Sequence, residues 1–208
     1  NLDLAKKLSP NLLAELCGAA IRKHAPQTDG SAVHMVKWGK NMNVSIGKIQ
    51  KALSPNPFVL VTSTKEDGST NAMALSWWCY ASNNPPKVLI CTSNKGYTGA
   101  CIRRTGEFGL CFPTEEIKDG AFQCGTCSGR DMDKLAALGL ETEEPDVIGT
   151  KLLKHCKAAL ECRLVGTASA GDHTVYIGEV VQTHLWEDCD ALYACDGYGR
   201  LGTVKMDG

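Results

Sequence analysis

The stretch that most restricts the fold is a pair of strand-like runs joined by a short polar turn: PFVLVTST (57–64), KEDGST (65–70) and NAMALSWWCYAS (71–82). Asp67 and Gly68 sit at the centre of the turn, and Asp-Gly between two apolar runs is a strong signal for a β-hairpin, because the tight turn needs positive φ. A hairpin forces antiparallel pairing. Parallel neighbours need a crossover of a dozen or more residues, so these two runs are not successive strands of a parallel sheet.

Later segments repeat the pattern. NNPP (83–86) turns the chain and KVLICTS (87–93) is a third strand. YTGACIRRTG (97–106) reads as a helix stopped by Gly106, and EFGLCF (107–112) as a strand. TEEIKDGAFQ and SGRDMDKLAALG suggest two short helices. AALECRLVGTAS (158–169) and HTVYIGEVVQTHLW (173–186) are long strands joined through AGD. In the first, Leu160, Cys162 and Leu164 alternate with Glu161 and Arg163, so the spacing predicts one solvated face carrying both charges. Meandering strands with short inserted helices make a mainly β fold with α additions, an antiparallel barrel.

Residues 1–43 differ from this. Ser9 is a cap candidate ahead of Pro10, and Leu12, Leu13, Leu16, Ala20 and Ile21 form one stripe at helical spacing. Pro26 and Gly30 then break the pattern. The expected organisation is an N-terminal helical extension, 1–43, before a domain spanning 44–208.

Among the 208 residues the charges nearly cancel, to a net of -1, which excludes the basic field that holds nucleic acid or an anionic membrane. No apolar run approaches the roughly 20 residues of a membrane helix. The opening NLDLAKKLSP lacks the charged-then-apolar layout of a secretory signal. Eleven cysteines are an odd number, so they cannot all pair within the chain. Cys79, Cys91, Cys101, Cys111 and Cys162 lie in apolar runs and read as buried, reduced thiols. A reducing, cytoplasmic setting is expected.

GYGRLG (197–202) matches the glycine pattern of dinucleotide-binding folds, but only six residues follow it, so no helix and acidic partner can complete the unit. Asn43, Val44 and Ser45 form a glycosylation sequon by chance. The Glu115/Glu116 and Glu143/Glu144 pairs read as solvated faces. CGTC (124–127) is compatible with incidental thiols, a redox or cofactor-contacting pair, or half a zinc site. It has no second ligand pair at suitable spacing, and no metal site is expected. His24, His34, His155 and His184 belong to no recognisable constellation, whereas His173 follows Asp172 at a turn, as a pocket-rim imidazole would. CTSNKGYTGACIRRTG (91–106) is a strand, a glycine-containing turn and a helix start. With Lys95 and Thr98 it reads either as a plain helix cap or as a cradle for an anion such as a cofactor phosphate.

The ordered set NPFVLVTST, DGSTNAMALSWWCYASNNPPKVLICTSNKGYT, TGEFGLCFPTEE, CGTCSGRDMDKLAALGLE, ALECRLVG, GDHTVYIGEVV and GYGRLG resembles the flavin reductase-like, FMN-binding split-barrel family, most closely its flavoredoxins. The resemblance runs from about residue 46 to the end and leaves 1–43 outside it. It implies a split antiparallel β-barrel with FMN as cofactor. Asn71, Met73, Ala74, Leu75, Ser76 and Trp77 would lie along the flavin ring, whose pyrimidine edge can pair with backbone groups. One tryptophan of the pair 77/78 would pack near the flavin and the other would be structural. Ser93, Asn94, Lys95, Gly96, Tyr97 and Thr98 would hold the phosphate; many relatives have serine where this chain has Lys95. Cys127, Ser128 and Arg130 would approach the flavin, and His173 would act catalytically. Family members are homodimers.

The implied activity is electron transfer from NADH or NADPH through FMN to a flavin, a ferric complex or another acceptor. The nicotinamide would stack directly on the exposed flavin face. An electron carrier reduced by a redox protein partner is the alternative, and a barrel holding haem, another ligand or none is a third.

Overall fold

The computed structural model describes residues 44–186 and 189–204; the helix expected near residues 9–24 lies outside them. The described chain begins with α1 (Ile46–Ala52), β1 (Asn56–Pro57), β2 (Val59–Thr64), β3 (Thr70–Leu75), β4 (Trp78–Asn83) and β5 (Pro86–Ser93). It continues with α2 (Tyr97–Thr105), β6 (Glu107–Pro113), a 3-10 turn at Glu115–Ile117, α3 (Lys118–Gln123) and α4 (Lys134–Leu138). Then come β7 (Thr142–Glu143), β8 (Leu152–Leu153), β9 (Cys156–Ala170), β10 (His173–Leu185), β11 (Leu192–Ala194) and β12 (Leu201–Thr203).

The hairpin forms where the sequence places it. Register runs from Val59 opposite Leu75 to Thr64 opposite Thr70. Gly68 takes φ 82°, and the Asp67 carboxylate accepts from the backbone N–H of Ser69 at 2.9 Å and from its hydroxyl at 2.6 Å. The return strand, however, is not continuous over 71–82. It breaks at Ser76 and Trp77: β3 stays paired with β2, whereas β4 pairs with β5.

That break creates the architecture. Seven strands form one antiparallel sheet in the order β3-β2-β6-β9-β10-β5-β4. Its edges, β3 and β4, are consecutive in the chain with only Ser76 and Trp77 between them. A flat seven-strand sheet would hold its edges about 29 Å apart at ~4.8 Å per spacing, so the sheet must curl until they nearly meet. They meet without pairing, which makes a mainly β, split antiparallel barrel with helical additions.

Two core clusters fill and cover it. Val59, Val61, Val88, Ile90, Phe108, Leu110 and Tyr176 belong to one, and Phe58, Leu60, Cys111, Leu152 and Leu192 to the other. Successive β2 residues therefore enter opposite clusters. Burial of both faces explains why this strand reads as a continuous apolar run. Tight packing also makes room for no side chain at Gly178: a β carbon there would lie 2.7 Å from Phe108 Cε1 and 3.1 Å from Cys162 Cβ.

Other expectations need correction. Glu161 is fully buried, not solvated, because the loop at 146–148 folds over it. Its carboxylate accepts backbone N–H bonds from Asp146 (2.7 Å), Val147 (2.8 Å) and Ile148 (2.9 Å). His184 does have a constellation: its Nε2 lies 2.7 Å from Glu161 Oε1, and its ring stacks on Trp186. Cys101, Cys111 and Cys162 are buried thiols, but Cys79 is exposed and Cys91 only half-buried, since β4 is a sheet edge and β5 outruns it. Among the described residues, no helix is long and apolar enough to cross a membrane.

Candidate functional site

β4 leaves β5 at Trp78, opposite Ile90. The Cys91 N–H still reaches the Trp77 carbonyl (2.8 Å), but beyond it β5 has no partner on that side among the described residues. The end of β5 and the facing β3 thus diverge from a vertex at Trp77. A cavity of about 340 Å³ fills the wedge, lined by Met73, Ala74, Leu75, Trp77, Cys91, Ser93 and His173 and overhung by Gln50, Phe122 and Tyr198. A second cavity of about 500 Å³ shares Met73, Ala74, Ser93, Gly125 and Thr126 with it and extends to the start of α2. Both volumes suit a cofactor-sized ligand.

The two ends differ chemically. At the wedge, Trp77 is 41% exposed and its ring lies 4.7 Å from that of His173. Trp78 instead packs edge-on against Tyr80 and Phe112. His173 Nδ1 is 2.7 Å from Asp172 Oδ1, and this hydrogen bond holds the Asp172 carboxyl below its usual range.

At the far end, α2 starts at Gly96 with no side-chain cap, so its first N–H groups are free of side-chain acceptors from the cap position. Lys95, Arg130 and Lys134 line this cavity, and among the described residues no carboxylate does. Arg130 lies over the Tyr97 ring (5.1 Å) and donates to the Lys95 carbonyl (3.1 Å), joining the 128–130 loop to the turn before α2. Asn71 is buried; its amide donates to Thr98 Oγ1 (3.0 Å), while its Oδ1 has no hydrogen-bond partner among the described residues. The arrangement joins a cationic end, of a charge that suits an anion, to an apolar slot.

Of the residues expected from sequence, Met73, Ala74, Leu75, Trp77, Ser93 and His173 meet at the wedge, and Asn71, Lys95, Gly96, Tyr97, Thr98, Cys127, Ser128 and Arg130 meet at the anion end. Two do not join them. Ser76 faces an adjoining cavity beside Asp196 and Tyr198. Asn94 fastens the β9–β10 turn: its Nδ2 donates to Gly171 O (3.0 Å) and its Oδ1 accepts from Thr174 (2.7 Å).

Sequence reasoning missed Lys134. This lysine is 4% exposed and its ammonium donates to the carbonyls of Ala72 (3.0 Å) and Cys124 (2.7 Å), tying β3 to the CGTC loop. Burial lowers its pKa, partly offset by the nearby Cys124 and Cys127 thiols. Tyr198, inside the rejected GYGRLG, and Gln50 were also missed; neither carries a local signal. Asp146, Glu161 and His184 bring ligand-type atoms within 4.8 Å of one another. Both Glu161 oxygens already accept hydrogen bonds, so this group anchors a loop.

Residues 52–202 match the model of the flavin reductase like domain family. An uncharacterized protein of Archaeoglobus fulgidus is 33% identical over 55% of this chain and 65% of its own length, so the match spans just under two thirds of that relative. The uncharacterized protein YddH of Escherichia coli is 31% identical over 79% of this chain and 86% of its own. A flavin reductase of Pseudomonas putida is 26% identical over 72% and 85%. Among solved structures, the flavoredoxin of Methanosarcina acetivorans superposes with a TM-score of 0.69 at 26% identity, covering 83% of this chain and 93% of that one. The flavoredoxin of Desulfovibrio vulgaris shares the fold, with a TM-score of 0.70 at 23% identity over 81% and 94%.

Proposed function

Because the chain belongs to the flavin reductase like domain family, we propose that its joined cavities hold FMN and that the bound flavin carries electrons from NADH or NADPH to a flavin, ferric or other acceptor. The observation that carries the reading is the polarity of the site: apolar walls at one end, and at the other an uncapped helix start with, among the described residues, three cations and no carboxylate. A flat aromatic ring with a dianionic tail has the same polarity. The unpartnered Asn71 Oδ1 gives the slot a further acceptor for a ligand donor.

In this reading the N–H groups at the start of α2, with Lys95 and Arg130, hold the phosphate. The β3 backbone beside Met73 and Ala74 faces the ring, and the small Ala74 side chain permits a close approach. Trp77, Phe122 and Tyr198 exclude water from the slot. When bound, FMN would supply hydride acceptance and one- or two-electron release. His173, oriented by Asp172 and in tilted contact with the Trp77 ring, positions the nicotinamide and holds a proton at its ring nitrogen. The protein works as a homodimer in the cytoplasm. Exposed Tyr80 on edge strand β4, 72% accessible, supports the dimer, for which sedimentation is the test.

The likeness to flavoredoxin favours a second reading, in which a redox protein rather than NAD(P)H reduces the flavin. Anaerobic addition of NADH or NADPH to the FMN-loaded protein separates the two. Bleaching, with turnover of added free flavin, is the outcome expected of the reductase. Bleaching only through a redox protein selects the carrier, and a protein that retains no flavin refutes both.

A further inference from the structure

The floor of the anion-end cavity carries thiol chemistry that holding a cofactor does not require. Cys124 and Cys127 both line it, together with Met73 and Ala74. Cys124, at the end of α3, is 1% exposed; Cys127 is half-buried. The loop between them presses on β3: a β carbon at Gly125 would stand 3.1 Å from that of Ala74.

Successive backbone turns separate the two cysteines by three positions, Cys124 to Cys127. Gly125 N–H donates to Phe122 O (3.1 Å), Thr126 N–H to Gln123 O (3.0 Å), and the Cys127 thiol reaches Gln123 O (3.5 Å). These helix-like turns bring positions i and i+3 together, with β carbons about 5–6 Å apart. Disulfide geometry needs about 4 Å, a small adjustment in a loop outside any regular element. The Lys134 ammonium, bonded to the Cys124 carbonyl, acts electrostatically on both thiols.

We propose that Cys124 and Cys127 are a dithiol–disulfide couple that accepts two electrons from the reduced flavin in this cavity, making the chain a reductase of small disulfides as well. The proposal rests on the flavin reading above. In the internal step the dihydroflavin gives up two electrons and two protons. The S–S bond breaks, each sulfur ends as a thiol, and the flavin returns to its oxidised form. In the external step Cys127, as thiolate, attacks a low-molecular-weight disulfide and releases one thiol. Cys124 then displaces the second thiol and the Cys124–Cys127 bond re-forms. Burial pushes the Cys124 thiol up to about 11, with Lys134 pulling it down in part. A buried thiol that resists ionisation makes its couple more reducing, which suits one driven by a flavin.

The test uses the FMN-loaded full chain, without air. It is incubated with oxidised glutathione, passed through a gel-filtration column and titrated with dithionite. The tryptic peptide 119–130 contains both cysteines and no other. Before titration it is expected to lack two hydrogens and resist alkylation; afterwards it should take two alkyl groups. The protein should consume about twice the reducing equivalents of its flavin alone. Cys127→Ser, at the more exposed position, should return uptake to that of the flavin, and flavin-free chain should keep its disulfide under the same dithionite. A peptide alkylated twice despite the glutathione treatment overturns the proposal. So does a disulfide that outlasts full reduction of the flavin, which leaves the flavin reading standing. Flavin lost on gel filtration overturns the flavin reading itself and this coupling with it.

Discussion

Replacing Lys95 by methionine isolates the charge that the anion end supplies. The side chain is exposed, so the substitution removes a positive charge and little packing. One cation and one negative charge about 5 Å apart attract by about 1.7 kcal/mol at an effective dielectric constant of about 40. A phosphate dianion raises this and physiological salt screens it, leaving about 1–2 kcal/mol, or about a 5- to 30-fold weaker Kd for FMN. Riboflavin has the same ring and no phosphate, so its Kd should change by less than about two-fold. Flavin fluorescence titrations of both ligands, on wild type and variant, make the comparison. Raising the salt should shrink the FMN effect and leave riboflavin unaffected. Equal losses for the two ligands would refute the reasoning, since Lys95 would then act through the turn. No loss for either would remove the phosphate from the start of α2.

His173→Ala should slow flavin reduction by NADH or NADPH by at least about ten-fold while FMN stays bound, and unchanged stopped-flow traces would reject the positioning role. Gly178→Ala should cost about 1–3 kcal/mol, read as a lower denaturant midpoint with an unchanged slope, because Phe108 and Cys162 leave no space for the methyl group. Glu161→Gln should destabilise by about 3 kcal/mol in the same assay, since an amide N–H then faces donors. Burial alone would push the Glu161 carboxyl up, but three backbone amides and His184 more than offset that and hold it below its usual range. The unfolded group titrates normally, so this stabilisation is complete above the ordinary glutamate range and is lost as pH falls through the lower folded value. Melting curves in acid should therefore fall more steeply for wild type than for the variant.

The hairpin was legible because Asp67 and Gly68 encode its turn locally, and the end of α2 because Gly106, at φ 74°, is a left-handed cap. The break at Ser76 and Trp77 was not. Those residues favour strand as much as their neighbours do, and the chain breaks there because the barrel wall must pass from β2 to β5. Alternation pointed Glu161 outward, and only the fold of a loop fifteen residues earlier buries it. Most of the expected site converged because family spacing carried it. Lys134 was invisible because its partners are two backbone carbonyls, one of them 62 positions away. The side chain of Asn94 bonds the β9–β10 turn, which sequence did not foretell, because a polar turn residue reads alike whether it holds a ligand or another turn.

The central claim is that the wedge between β3 and β5 and the start of α2 form one FMN site. Calorimetric titration of flavin-free protein with FMN tests it most directly. Saturable binding of one FMN per chain, with riboflavin weaker by the contribution of the phosphate, is the predicted result. An absence of saturable heat, or equal affinity for FMN and riboflavin, would contradict it.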